Sequence, residues 1–152
     1  IGRMSDIVWS VDPKNDGGAP LAERMKLYAA ETLGAKDIAL DFRVDQHIAE
    51  LKMDMVQRRE VFLVLKEAVN NAMKHADCKR VGIALEQRSG RIELTVRDDG
   101  RGIRHTQGNG SNGNGLISMH KRAAAIGGVL SVEDEPGGGT CVRLSAPLRS
   151  AT

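Results

Sequence analysis

Two cysteines, four prolines, one tryptophan, one tyrosine and two phenylalanines are all that the 152 residues hold of those types. Cys78 and Cys141 lie far apart in no Cys-x-x-Cys pattern. That excludes a disulfide framework and a cysteine zinc site, and it fits a reducing, cytosolic compartment. Charge of one sign is also missing: the formal net charge is +2. With so few aromatics and no basic run interleaved with them, nothing marks nucleic acid as a partner. The longest strongly apolar run is residues 61–65, VFLVL. A membrane span needs roughly 20 such residues, so this segment is expected to make no membrane contact, and no signal peptide is visible.

What is present suits one soluble globular domain, with 41% apolar and 28% charged residues. A chain of this length can bury a real core without staples. Residues 1–9 carry Ile1, Met4, Ile7 and Val8 at helical spacing and read as the end of a helix begun upstream, with the domain proper over 10–152. After a turn-rich break, Pro20 suits an early helical position and Gly34 a C-terminal glycine stop. Residues 38–44 alternate Ile38, Leu40, Phe42 and Val44 inward with Ala39, Asp41 and Arg43 outward, the pattern of a half-buried strand. Residues 45–54 fit neither period. Residues 55–76 form the strongest helix, with Val61, Leu65, Ala68, Val69, Ala72 and Ala76 on one face. Strands over 80–88 and 91–98 meet at Ser89-Gly90, a hairpin signal. A glycine-rich loop follows over 103–114. Then come a helix over 116–126 stopped by Gly127-Gly128, and strands over 129–134 and 141–146 around the glycines 137–139. This order predicts an α/β (α+β) two-layer sandwich, a mixed, largely antiparallel sheet with helices on one face.

Three clusters carry chemistry. On the long helix, Glu67 and Asn71 are four apart, hence neighbours on one face, with Lys74 and His75 in the next turn. A carboxylate, a neutral oxygen donor and cationic donors on one stripe suit magnesium with attached phosphates. They equally suit the solvated face that any core-packed helix carries. Asp98-Asp99-Gly100-Arg101-Gly102 ends a strand. A carboxylate there can accept from an exocyclic amine such as adenine's, and the glycines let a planar ligand approach backbone; an acidic turn has the same composition. Gly113-Asn114-Gly115-Leu116 opens a helix, where amides and the helix dipole favour a phosphate, although a flexible linker is also glycine-rich.

The order of these clusters decides between the readings. Glu-x-x-x-Asn on a helix, a hairpin, Asp-x-Gly-x-Gly, a loop, Gly-x-Gly-Leu and Gly-Gly-Gly-Thr140 together resemble the superfamily of gyrase-type ATPases, chaperone ATPases and histidine kinases, with its Bergerat ATP-binding fold. The resemblance covers residues 55–148. KEAVNNAMKHA and GNGLISMHKRAAAIGG are similar to the catalytic domains of bacterial sensor histidine kinases that pair with LuxR/NarL-type response regulators.

The resemblance implies ATP and Mg²⁺ as ligands. It gives Asn71 the metal, Glu67 a metal water or proton transfer, and Lys74 and His75 the phosphates. Asp98 would take the adenine amine, with Gly100, Gly102 and Ile103 along the adenine wall. Gly113, Gly115 and Leu116 would close over the phosphates, and Thr140 would support adenine through its hydroxyl or a water. It implies as partners a dimerisation domain carrying the phosphoacceptor histidine, a response regulator and a second copy of the full-length protein. The place would be the cytoplasmic side of an inner-membrane-anchored sensor. Residues 103–112 lack the phenylalanine of longer-lid kinases, and none of His47, His75, His105 and His120 stands in a phosphoacceptor context. The acceptor is therefore expected upstream, with residues 1–9 as the end of its domain. Asp99, where asparagine is often found, is expected to have little effect. Related functions in the same superfamily are an anti-sigma-factor serine kinase and an ATP-gated clamp.

Overall fold

A computed structural model of the protein describes residues 18–75, 77–101 and 113–148. The chain runs α1 (Gly18–Gly34), β1 (Ala39–Val44), a 3-10 turn (Gln46–Glu50), α2 (Met55–His75), β2 (Arg80–Arg88), β3 (Arg91–Asp98), α3 (Gly113–Ala125), β4 (Val129–Asp134) and β5 (Thr140–Pro147). The sheet order is β1-β2-β3-β5-β4. Only β1 and β2 are parallel, and the other neighbours are antiparallel. A parallel pair needs a long crossover, which α2 supplies. The expected mixed, largely antiparallel sheet is thus the one observed.

Period-two strands put Val81, Ile83 and Leu85 of β2, Ile92, Leu94 and Val96 of β3, and Leu144 and Ala146 of β5 on one buried face. All three helices cover that face. Helix α2 meets it with Val61, Leu65 and Val69, each fully buried, and with Ala68 and Ala72. Each such large apolar side chain stabilises by about 1.5–3 kcal/mol, enough to fix the rotation of α2 and so the direction of its polar stripe. Asp54 caps α2 by accepting from the Gln57 amide at 2.7 Å. The opposite sheet face carries Asp41, Arg43, Glu86, Glu93, Arg97 and Arg143.

Three local expectations change. Gly34 is the last residue of α1 and has no positive φ; the left-handed position is Asp37, at φ 55°. The Ile38 amide donates to the Leu33 carbonyl at 3.0 Å and the Asp37 amide to Gly34 at 3.1 Å, a Schellman closure displaced from the glycine. At α3 the glycine expectation holds, with Gly127 at φ 68° and Gly128 donating to Ala123 at 2.8 Å. Val44, expected inward, is 38% exposed at the last residue of β1, the edge strand of the sheet. Residues 45–54, which fit neither period, hold a 3-10 turn capped by Asp45 and drop Ile48 and Met53 fully into the core. Ala76 and residues 1–9 lie outside the described residues.

Candidate functional site

The rotation of α2 leaves Glu67 and Asn71 half-buried beside α3 and Lys74 exposed one turn on. Helix α3 meets them with Gly115. A Cβ on Gly115 would overlap Glu67 Oε1, and would lie 3.2 Å from Glu67 Cδ and 3.6 Å from Asn71 Nδ2. Absence of a side chain therefore lets the first turn of α3 reach the polar stripe. Leu116, the next residue, packs against the hydrophobic core and anchors that turn. Glu60, 5% exposed, ties the same two helices by accepting from Arg122 at 2.7 Å.

A second cluster forms at the end of β3. Asp98 Oδ1 accepts from the Gly100 amide at 2.9 Å and the Thr140 amide at 3.3 Å. Burial pushes the Asp98 carboxyl above its usual value; the two amides oppose this, and the charges of Asp99 and Glu135 add to it. The β4–β5 turn presses on the same place. Gly139 has φ 100°, and a Cβ there would overlap the Asp98 carbonyl oxygen and lie 3.0 Å from Asp99 Cα. Thr140 thus holds Asp98 through its backbone amide, a contact that no side-chain pattern reveals.

The structure places Glu67, Asn71, Gly115 and Leu116 together, and Asp98, Gly100 and Thr140 together. Gly113 begins α3, and His75 ends α2. Gly102, Ile103 and the loop over 103–112 fall outside the described residues. One residue passed over in the sequence, Tyr28, and one expected to have little effect, Asp99, make contacts here. The Tyr28 hydroxyl donates to Asn70 Oδ1 at 2.7 Å, fixing α1 against the residue before Asn71, while its ring meets Phe62 edge-on at 6.0 Å. Asp99 accepts two backbone amides through one oxygen. Cys78 is half-buried beside these carboxylates. Burial, then the charges of Asp98 and Asp99, push its thiol up to about 11, so it stays protonated and unreactive at neutral pH.

A half-buried polar helix stripe facing a glycine-opened helix, with a half-buried aspartate at a strand end, is the arrangement of a nucleotide-binding α/β domain. The chain belongs to the histidine kinase-, DNA gyrase B- and HSP90-like ATPase family, whose profile matches residues 56–150. It is 36% identical over 110 residues to the signal transduction histidine-protein kinase/phosphatase UhpB of Salmonella typhimurium, covering 72% of this chain and 20% of that protein. It is 29% identical over 112 residues to the sensor histidine kinase YdfH of Bacillus subtilis, covering 72% of this chain and 26% of that protein. The chain therefore spans about a quarter or less of the length of these relatives. In fold it is similar to the histidine kinase domain of a blue-light activated kinase from Erythrobacter litoralis EL346. The TM-score is 0.70 at 23% identity, over 97% of this chain and 66% of that one. Among the described residues no helix is long and apolar enough to cross a membrane.

Proposed function

We propose that this chain binds Mg·ATP between α2 and the start of α3 and passes the γ-phosphoryl group to a histidine on a dimerisation domain of the full-length kinase. The close approach at Gly115 carries this reading, because it sets the amides at the start of α3 against Glu67 and Asn71. Phosphoryl transfer asks a protein mainly for positioning and charge neutralisation. Asp98 would hold the adenine amine. Lys74, His75 and the amides from Gly113 onward would face the phosphates, with Gly102 and Ile103 closing the adenine side and Thr140 supporting it. Glu67 would orient a water or assist proton transfer. A carboxylate and an amide oxygen at a cleft left open by glycine are a fitting donor set for magnesium, with Asn71 as the ligand. When bound, Mg²⁺ neutralises charge on the phosphates. The likeness to UhpB and YdfH supports a sensor kinase that acts as a homodimer, is anchored at the inner membrane and signals to a LuxR/NarL-type response regulator.

The chain alone is expected to bind ATP without labelling itself on histidine. His47 lies in the 3-10 turn, His120 is exposed on α3 and His75 ends the site helix. Transfer needs the acceptor nitrogen in line with the γ-phosphorus. Mixed with the dimerisation domain of its parent and γ-labelled ATP, it should place acid-labile, base-stable label on that domain, slowly, because tethering no longer supplies effective concentration. Such label on the isolated chain would refute the separate acceptor. Acid-stable label on a partner's serine would support a serine kinase instead.

Gly115→Ala separates the site from the fold. The atom that a methyl group would displace is the end of a flexible glutamate, and alanine is a better helix former than glycine by about 1 kcal/mol. Melting should hold or rise while transfer falls about ten- to a hundredfold, as Glu67 is pushed aside. A variant with full transfer activity would remove Glu67 from the reaction.

A further inference from the structure

The connection from the end of α2 to β2 is tied at successive residues. Cys78 Sγ donates to the Ala72 carbonyl of α2 at 3.6 Å. The amides of Lys79 and Arg80 both donate to Asp99 Oδ1, at 2.8 and 3.0 Å. The Asp99 amide returns a bond to the Arg80 carbonyl at 3.3 Å. Asp77, just ahead of these residues, sits at φ 54°, a conformation that costs a non-glycine residue and is held only by its surroundings.

On its other side Asp99 follows Asp98, whose own carboxylate is tied to Gly100 and to Thr140 of the last hairpin. Two adjacent aspartates therefore divide the work. Asp98 fixes the turn to β5, and Asp99 fixes the same turn to residues 79 and 80, where the connection from the helix that carries Glu67, Asn71 and Lys74 enters β2. The side chain of Asp99 is exposed, and its two bonds go to backbone amides outside its own turn.

We propose that Asp99 is a positioning residue for nucleotide, which sets the register between the Asp98 turn and the phosphate end of α2. The inference rests on the nucleotide reading above. A ligand that touches only the Asp98 turn senses little of this register, whereas one that spans from Asp98 to Asn71 senses all of it. Asparagine offers the same oxygen with two lone pairs to both amides, whereas alanine offers none.

The test compares adenosine with a non-hydrolysable ATP analogue plus Mg²⁺, by calorimetry or NMR titration, for wild type, Asp99→Ala and Asp99→Asn. The expected result is that Asp99→Ala loses about tenfold in analogue affinity, the size of one or two lost amide bonds, and threefold or less for adenosine. Asp99→Asn should restore the wild-type ratio of the two. A lower melting temperature in Asp99→Ala with an unchanged ratio would show a stabilising residue only and overturn the proposal. So would equal losses for both ligands, or an alanine-like asparagine variant. Wild-type protein that binds neither ligand would sink the nucleotide reading itself, a result distinct from each of these.

Discussion

Gly139→Ala is expected to lower the melting temperature by roughly 6–12 °C and to abolish stabilisation by added ATP. The residue has φ 100°, a region that costs an alanine about 1–3 kcal/mol. Its new Cβ would also overlap the Asp98 carbonyl oxygen, which is backbone and cannot swing aside as a side chain can. The two effects together amount to about 3 kcal/mol, and a domain of this size moves by about 2–4 °C per kcal/mol. The obstructed atoms belong to Asp98 and Asp99, so any relaxation drags with it the carboxylate proposed to hold adenine. Gly137→Ala is the control, since nothing lies within 4 Å of a Cβ there and its φ is ordinary. Thermal melts of both variants, with and without ATP, check this. A Gly139→Ala protein that melts within about 2 °C of wild type would show that the hairpin can move independently of the Asp98 turn.

Asp98→Ala should lower affinity strongly while leaving the protein folded. The half-buried carboxylate is the acceptor proposed for the adenine amine, and a hydrogen bond to a charged group contributes about 1.5–3 kcal/mol. Affinity for a non-hydrolysable ATP analogue should fall about ten- to a hundredfold. The variant also frees the amides of Gly100 and Thr140 from their acceptor. Asp98→Asn keeps that oxygen and therefore isolates the charge. Calorimetric titration of the two variants separates the contributions, and unchanged affinity in a folded Asp98→Ala protein would take Asp98 out of adenine binding.

Much of this was determined by the sequence alone, where the signal is local. The period of α2 gave its buried face, because Val61, Leu65 and Val69 recur at helical spacing and must leave water together. Ser89-Gly90 gave the β2–β3 hairpin, and both residues have positive φ, at 50° and 74°. The order of polar helix, strand-end aspartate and glycine-led helix gave the family. Other features depend on partners distant in the chain. Gly34 has the composition of a helix stop, yet Asp37 takes the left-handed position because Ile38, 9% exposed, is drawn into the core. Val44 continues the alternation of β1 but lies at a sheet edge, a position that strand order sets and side-chain period does not. Glu60 reads as one more charge on a helix, and only the packing of α3 gives it Arg122. Asp99 reads as a tolerated variant of asparagine, and only the return of residues 79 and 80 beside β3 supplies the amides it holds. Side-chain type and spacing decide which face of an element is buried, since burial of apolar surface is local to the element. Which element it meets, and so which backbone amides reach a given carboxylate, is decided only when the sheet closes.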